Sequence, residues 1–387
     1  MQWPAIEQSL KNKTINSWQI RTLSALSKCR TAALGGHIDG CSFCGNLRIS
    51  YNSCRNRHCP KCQGNEREAW IEARKHELLP VPYFHVVFTL PSELNVLCIR
   101  YPGIVYSVIF EAAWKTINCF SKDEKHLGAT TGMISILHTW GQQLTLHPHL
   151  HCIIPAGGIT KQGKWKYSKT NGNYLFPVKA LSKVFRAKYI HSLRKKVREH
   201  NLFNTHEKQI VLPLDIMESC FKKQWVVFAK KPFSGVNSVV EYLGRYTHKV
   251  AISNHRIKSI DKSNNTISFS YKDYKDKAKT KMLKLEQIEF IRRFSLHILP
   301  KGFVRIRHFG LLSSTSKTLT IPLIRKQLPE PKVKLEKSKA APYNPLVCPC
   351  CKKETMVTLL NFDMRGPPIN WRITSKQLLN TLKKQVA

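Results

Sequence analysis

Residues 144–154 read LTLHPHLHCII, and their alternation sets the reading of the whole chain. His147, His149 and His151 stand two apart, so in an extended strand all three imidazoles leave the same face. Neighbours in the row are about 6.6 Å apart, close enough for two to converge on one ion, whereas His147 and His151 at about 13 Å can hardly share it. A third ligand should come from another segment. The bland alternative, satisfied core or surface histidines, must explain three of them alternating beside Leu146, Leu150, Ile153 and Ile154. Imidazoles suit Mn²⁺, Zn²⁺, Fe²⁺ or Ni²⁺, and the sequence does not choose among them.

Working outward, YFHVVFTLP (83–91) is an aromatic and β-branched run that reads as a buried strand stopped by Pro91. Residues 94–120 have helical apolar spacing broken near the start by Pro102 and Gly103, which predicts two helices. After the histidine strand, Gly157-Gly158 reads as a turn and VNSVVEYLGRYTHK (236–249) as a helix. Residues 255–260 and 266–271 flank an Asp-Lys-Ser-Asn-Asn turn as a hairpin, and the Lys-rich stretch beyond reads as a basic arm. Strand, helices, strand, helix is an α+β order. The expected division is a helical and metal-binding module at 1–78, a catalytic domain at 80–312, a basic Pro- and Lys-rich linker at 313–345, and a tail at 346–387 holding CPCC.

Subtracting 24 acidic from 63 basic residues leaves +39, an imbalance few catalysts of small neutral metabolites carry. A polyanion is the expected partner. With 42% hydrophobic residues the chain can bury a core, so the charge does not mark a disordered tail. Residues 1–16 lack the pattern of a secretory leader and no apolar run approaches a membrane span, so secretion and insertion are disfavoured and an intracellular protein is expected. Thirteen cysteines is an odd count, and six fall between Cys29 and Cys62 at metal-site spacings, which points to zinc in a reducing compartment.

Cys41-x-x-Cys44 and Cys59-x-x-Cys62 can each offer two thiolates from a tight turn, as tetrahedral Zn²⁺ requires. Cys29, His37, Cys54 and His58 are candidates for a second zinc, or spectators around one. The interleaved Arg30, Arg48, Arg55, Arg57 and Lys61 make the module a candidate nucleic-acid contact, against the alternative of a purely structural zinc ribbon. Cys348 and Cys351 form a further CxxC with no second pair nearby.

Tyr242 and Tyr246 are four apart, which on a helix stacks both phenols on one face among Arg245, His248 and Lys249. A core aromatic pair is the alternative. A phenol near pKa 10 is a poor nucleophile unless cations or a metal favour phenolate, whereas a metal-polarised phosphodiester is open to attack. Such attack on DNA would leave a 5′-phosphotyrosine and a free 3′-OH, so no nucleotide cofactor is needed.

With His149-Leu150-His151 on a strand and Tyr242/Tyr246 on a downstream helix, the chain resembles the HUH endonucleases. CRTAALGGH (29–37), YNSCRNRHCPKCQ (51–63), FHVVFTLP (84–91), HTWGQ (138–142), HPHLHCIIPAGG (147–158), EYLGRYTHKVAISNHR (241–256) and LPKGFVRIRHFG (299–310) narrow it, being similar to the two-tyrosine transposases of the insertion-sequence ninety-one family. The resemblance implies a zinc-ribbon-like module preceding an HUH-type catalytic domain with a central antiparallel sheet, and rolling-circle-like transposition through single-stranded DNA. It implies His149 and His151 as ligands of a divalent ion, Mg²⁺ or Mn²⁺, with His138 expected as third ligand over His147, Gln142 or Gln143. Tyr246 and Lys249 resemble a Tyr-x-x-Lys catalytic helix, with Tyr242 as partner nucleophile. The implied partners are single-stranded DNA and mobile-element ends, with no membrane. A rolling-circle replication initiator and a zinc-dependent DNA-binding protein without catalysis are the alternatives. Trp140, Phe269 and Tyr271 are candidates to stack on unpaired bases.

Overall fold

The computed structural model describes residues 15–63, 71, 78–168, 175–200, 213–233, 238–239, 242, 244, 249–329 and 344–386. In chain order the strands are β1 (Gly36–Cys41), β2 (Leu47–Tyr51), β3 (Tyr83–Thr89), β4 (Gly132–Trp140), β5 (Leu146–Pro155), β6 (Gly157–Ile159), β7 (Trp165–Tyr167), β8 (Val227–Phe233), β9 (Ile257–Asp261), β10 (Thr266–Asp273), β11 (Lys279–Glu286), β12 (Ile306–Gly310) and β13 (Met356–Phe362). The α-helices are α1 (Ser17–Lys28), α2 (Asn95–Arg100), α3 (Pro102–Lys122), α4 (Val178–Glu199), α5 (Pro213–Lys222), α6 (Gln287–Ser295), α7 (Ser314–Arg325) and α8 (Trp371–Val386). They fall into two compact units, one of Arg67–Leu335 and one that joins Met1–Glu66 to Glu336–Ala387.

The larger unit is built on a five-stranded antiparallel sheet in the order β12-β4-β5-β3-β8. Because side chains alternate, each strand feeds two cores. Phe84, Val86, Phe88, Leu137, Leu150 and Ile154 face one way and bury against Val105, Ile109 and Phe110 of α3 and Phe185 and Tyr189 of α4. Tyr83, Ile134, Ile136 and Ile153 face the other way, with Val239, Leu311, Ile321 and Ile324. A strand apolar on both faces reads as a continuous run, which is why YFHVVFT was legible as a buried strand. The two expected helices are α2 and α3, and Pro102 opens α3 where its missing N–H costs nothing.

Several expectations are corrected. Gly157 and Gly158 do not turn the chain but form β6, whose Cα atoms lie so close to β7 and Thr130 that a Cβ on Gly157 would meet Lys166 O at 2.6 Å. The basic arm is β11, third strand of a β11-β10-β9 meander. Within it Phe269 is fully buried against Phe290, so it is not available to stack on bases. The expected linker at 313–345 begins as α7, because Ile321, Ile324 and Leu328 recur at helical spacing and sink into the second core. Residues 330–343 lie outside those described, as does most of the helix expected at 236–249.

The smaller unit centres on a three-stranded antiparallel sheet, β13-β1-β2, so the tail is no separate appendage. Buried Asp39 on β1 ties the three strands together: one oxygen accepts from Arg48 (3.0 Å) and Ser50 (3.1 Å) of β2, the other from Thr358 (2.9 Å) of β13. Helix α1 carries a capping box in which Asn16 and Gln19 satisfy each other's backbone N–H. No helix among the described residues is long and apolar enough to cross a membrane.

Candidate active site

The ladder between β4 and β5 sets His138 opposite His149 and Ile136 opposite His151. Paired residues of antiparallel strands share a face, so three imidazoles converge from two adjacent strands. Their ring centroids are 5.6 Å (His138–His149), 4.7 Å (His138–His151) and 4.9 Å (His149–His151) apart, and their ligand nitrogens all lie within 4.8 Å. His147 does not join them. The register shifts between His138 and Trp140, so His147 and Pro148 together face Thr139, and this bulge takes His147 out of the row. Its backbone carbonyl serves instead, accepting from His149 Nδ1 at 2.6 Å.

That bond leaves His149 Nε2 for an ion. His151 is held in a similar way, with Nδ1 3.0 Å from His85 Nε2. Orienting a ligand imidazole through its other nitrogen is the usual support for a metal site. Burial holds the rings neutral: His149 is pushed down to about 4, first by desolvation and then by His147 and Lys249, while His151 is pushed further by burial and by His138 and His149. A neutral imidazole offers a lone pair to a cation, so these residues fit a divalent ion. Trp140 stacks on the buried ring of His138 at 4.7 Å, so the indole braces a ligand candidate.

His85 is the residue that sequence reasoning missed. It lies on β3 on the same face, stacks parallel to His151 at 5.2 Å, and is pushed down to about 3 by burial, then by Lys230 and His149. Tyr242 Oη sits 2.9 Å from His85 Nε2 and 3.4 Å from His151 Nδ1, and its ring packs on Phe233 at 4.9 Å. A quoted signal was present: in the period-2 pattern of β3, Tyr83, His85, Val87 and Thr89 share a face. Lys249 carries an amine pushed below the usual lysine value by desolvation and then by Arg256 and Lys272, and its carbonyl accepts from Arg305 at 3.2 Å. Tyr246 lies outside the described residues.

The cysteines group differently from their order in the chain. Cys29 joins Cys54, Cys59 and Cys62, with Sγ separations of 3.5 Å (Cys29–Cys62), 3.6 Å (Cys29–Cys59) and 3.7 Å (Cys54–Cys62). A tetrahedral ion with Zn–S of about 2.3 Å sets its sulfurs about 3.8 Å apart, so this quartet fits zinc. The expected union of Cys41 and Cys44 with Cys59 and Cys62 is corrected: the first pair meets Cys348 and Cys351 instead. His37 and His58 belong to neither quartet, His37 lying 3.4 Å from Asp39 and His58 being buried.

Residues 2–90 match a family model described as "Transposase zinc-binding domain" (IS91), and residues 132–318 match one described as "Putative transposase" (Y2_Tnp). The chain is 38% identical over 388 residues to "Putative transposase y4qJ" of Sinorhizobium fredii, covering 93% of this chain and 94% of that protein. It is 28% identical over 311 residues to the transposase for insertion sequence element IS801 of Pseudomonas savastanoi pv. phaseolicola, covering 76% and 70%. No solved structure matches.

Proposed function

The chain belongs to the IS91 family of transposases, and from that premise we propose that it cleaves and rejoins single-stranded DNA at mobile-element ends by tyrosyl transesterification. The observation that carries the reading is the approach of Tyr242 Oη to within 2.9 Å of His85, beside three imidazoles with nitrogens inside 4.8 Å. His138, His149 and His151 would hold Mg²⁺ or Mn²⁺, which when bound polarises a phosphodiester and offsets its developing charge.

In the proposed step Tyr242 Oη bonds to phosphorus and the bond from phosphorus to the 3′ oxygen breaks. The DNA 5′ phosphate then sits on tyrosine, the phenolic proton is lost and the 3′ oxygen gains one, so protons balance. Attack of a 3′-OH on the phosphotyrosine reverses the step and rejoins the strand. His85 orients the phenol, Lys249 adds positive charge nearby, and Tyr246 is the second nucleophile of this reading. The net charge of +39 would neutralise the DNA backbone in the bacterial cytoplasm and make binding strongly salt dependent.

The test incubates the full chain and Mg²⁺ or Mn²⁺ with labelled single-stranded oligonucleotides tiled across both strands of its flanking DNA. A denaturation-resistant adduct that requires metal and disappears in Tyr242→Phe or Tyr246→Phe is expected. Tight binding with no adduct on any strand would overturn the reading in favour of a DNA-binding protein without catalysis.

A further inference from the structure

The two cysteine quartets differ in where their members come from. Cys29, Cys54, Cys59 and Cys62 all lie in the matched zinc-binding segment, residues 2–90, whereas Cys348 and Cys351 lie far beyond it. We propose that Cys41, Cys44, Cys348 and Cys351 form a second Zn²⁺ site, a clasp that fastens the C-terminal segment to the N-terminal module.

The sulfurs are already arranged for an ion. Cys41 and Cys351 are 3.7 Å apart at Sγ, as are Cys44 and Cys348, and all four lie within 4.8 Å. These separations match the edge of a zinc tetrahedron of about 3.8 Å and are far from a disulfide of about 2.05 Å. The two turns are built alike. Gly45, at φ 77°, donates its N–H to Cys41 O at 3.0 Å, and Lys352, at φ 62°, donates to Cys348 O at 2.9 Å. Each turn thus curls back in a conformation that carries both sulfurs to one side, and Cys44 N also donates to Cys41 Sγ at 3.3 Å.

The surroundings hold the turns together without supplying a core of their own. Ser42 N donates to Thr355 O at 2.9 Å, and the Lys353 ammonium lies 3.3 Å above the Phe43 ring centroid, each joining one turn to the other. Yet the buried cluster at this corner consists of Cys41, Cys348 and Met356, with Cys351 packed against it. Two of its three buried members are themselves ligand candidates, so among the described residues apolar packing at the corner is small and a metal takes the fixing role. Four thiolates with no neutral or open position suit a closed structural zinc rather than a reactive one. Cys350, exposed and outside the quartet, takes no part.

The test measures bound metal and thiol reactivity on the full chain as purified. Two zinc ions per chain are expected, falling to one in Cys348→Ser/Cys351→Ser and remaining two in Cys350→Ser. Alkylation followed by mass spectrometry should find Cys41 and Cys44 protected in the natural chain and open in the double variant, with Cys29, Cys54, Cys59 and Cys62 protected in both. Should the double variant fail to fold, stepwise chelation of the natural chain still decides: Cys41, Cys44, Cys348 and Cys351 should become reactive together as one ion leaves. One zinc per chain with these four thiols freely alkylated, two zinc retained in the folded double variant, or iron in place of zinc would overturn the clasp.

Discussion

The cysteine quartets and the histidine group both gather soft ligands, but on different supports and in different numbers. The quartets hang on tight turns and on pairings between segments as distant as 310 positions, and each gathers four thiols among the described residues. The imidazoles stand on neighbouring strands of a sheet buried on both faces, and among the described residues three converge. Four ligands close a coordination sphere and hold a fold, whereas three leave positions for a substrate oxygen. The stiffness that the quartets obtain from an ion is present around the histidines already, from the β ladder and from Trp140, His85 and the His147 carbonyl.

That contrast can be broken by substitution. Tyr242→Phe removes the candidate nucleophile and should lower covalent adduct formation on the order of 10⁴-fold or more, read on denaturing gels, with zinc content unchanged. An adduct formed at the natural rate would take Tyr242 out of the reaction. Cys29→Ser/Cys59→Ser strikes the other kind of site, where apparent zinc binding is worth about 10–16 kcal/mol of folding energy. Hydrogen exchange should show β1 and β2 losing protection while β3, β4 and β5 keep theirs; joint loss would mean that the two units fold as one.

Smaller effects sharpen the division. His85→Phe keeps a ring against His151 but removes the nitrogen facing Tyr242, and a supporting partner of this kind is worth about 10- to 100-fold. Cleavage should slow by that factor while zinc content stays the same. The pH response should be smaller again near neutrality. His149 titrates at about 4 and His85 at about 3, so both are neutral above pH 6, and Mn²⁺ affinity followed by calorimetry should vary little from pH 6 to 8. Below that the sign is fixed: an unfolded chain takes up protons near pH 6.5 that the buried rings refuse, so stability falls as pH drops from about 6.5 toward 4. Denaturant unfolding at pH 7 and 5 tests it, and equal midpoints would refute the burial argument.

Strand alternation made His149 and His151 legible, because period 2 is a local property that survives any packing. His85 obeys the same period and escaped notice because a single histidine in YFHVVFT carries no pattern of its own. The role of the tail was not legible by spacing, since proximity across 304 positions is a product of the fold. Arithmetic still held a clue: three CxxC pairs with Cys29 and Cys54 make eight cysteines, two complete quartets that need neither His37 nor His58. The helix α7 was hidden by its position ahead of a Pro- and Lys-rich stretch, although Ile321 and Ile324 mark its inner face and Leu328 just beyond it joins the same core.

Strand β1 lies in the middle of its sheet, with β2 on one side and β13 on the other. A ribosome releases β1 and β2 long before it has synthesised Met356, so through most of translation the nascent sheet presents one bare edge. Any product that stops short of residue 356 keeps that edge for good. Completion of the β13-β1-β2 sheet is therefore a report that the message was read past residue 356, and chains interrupted before it would be exposed to proteolysis along β1.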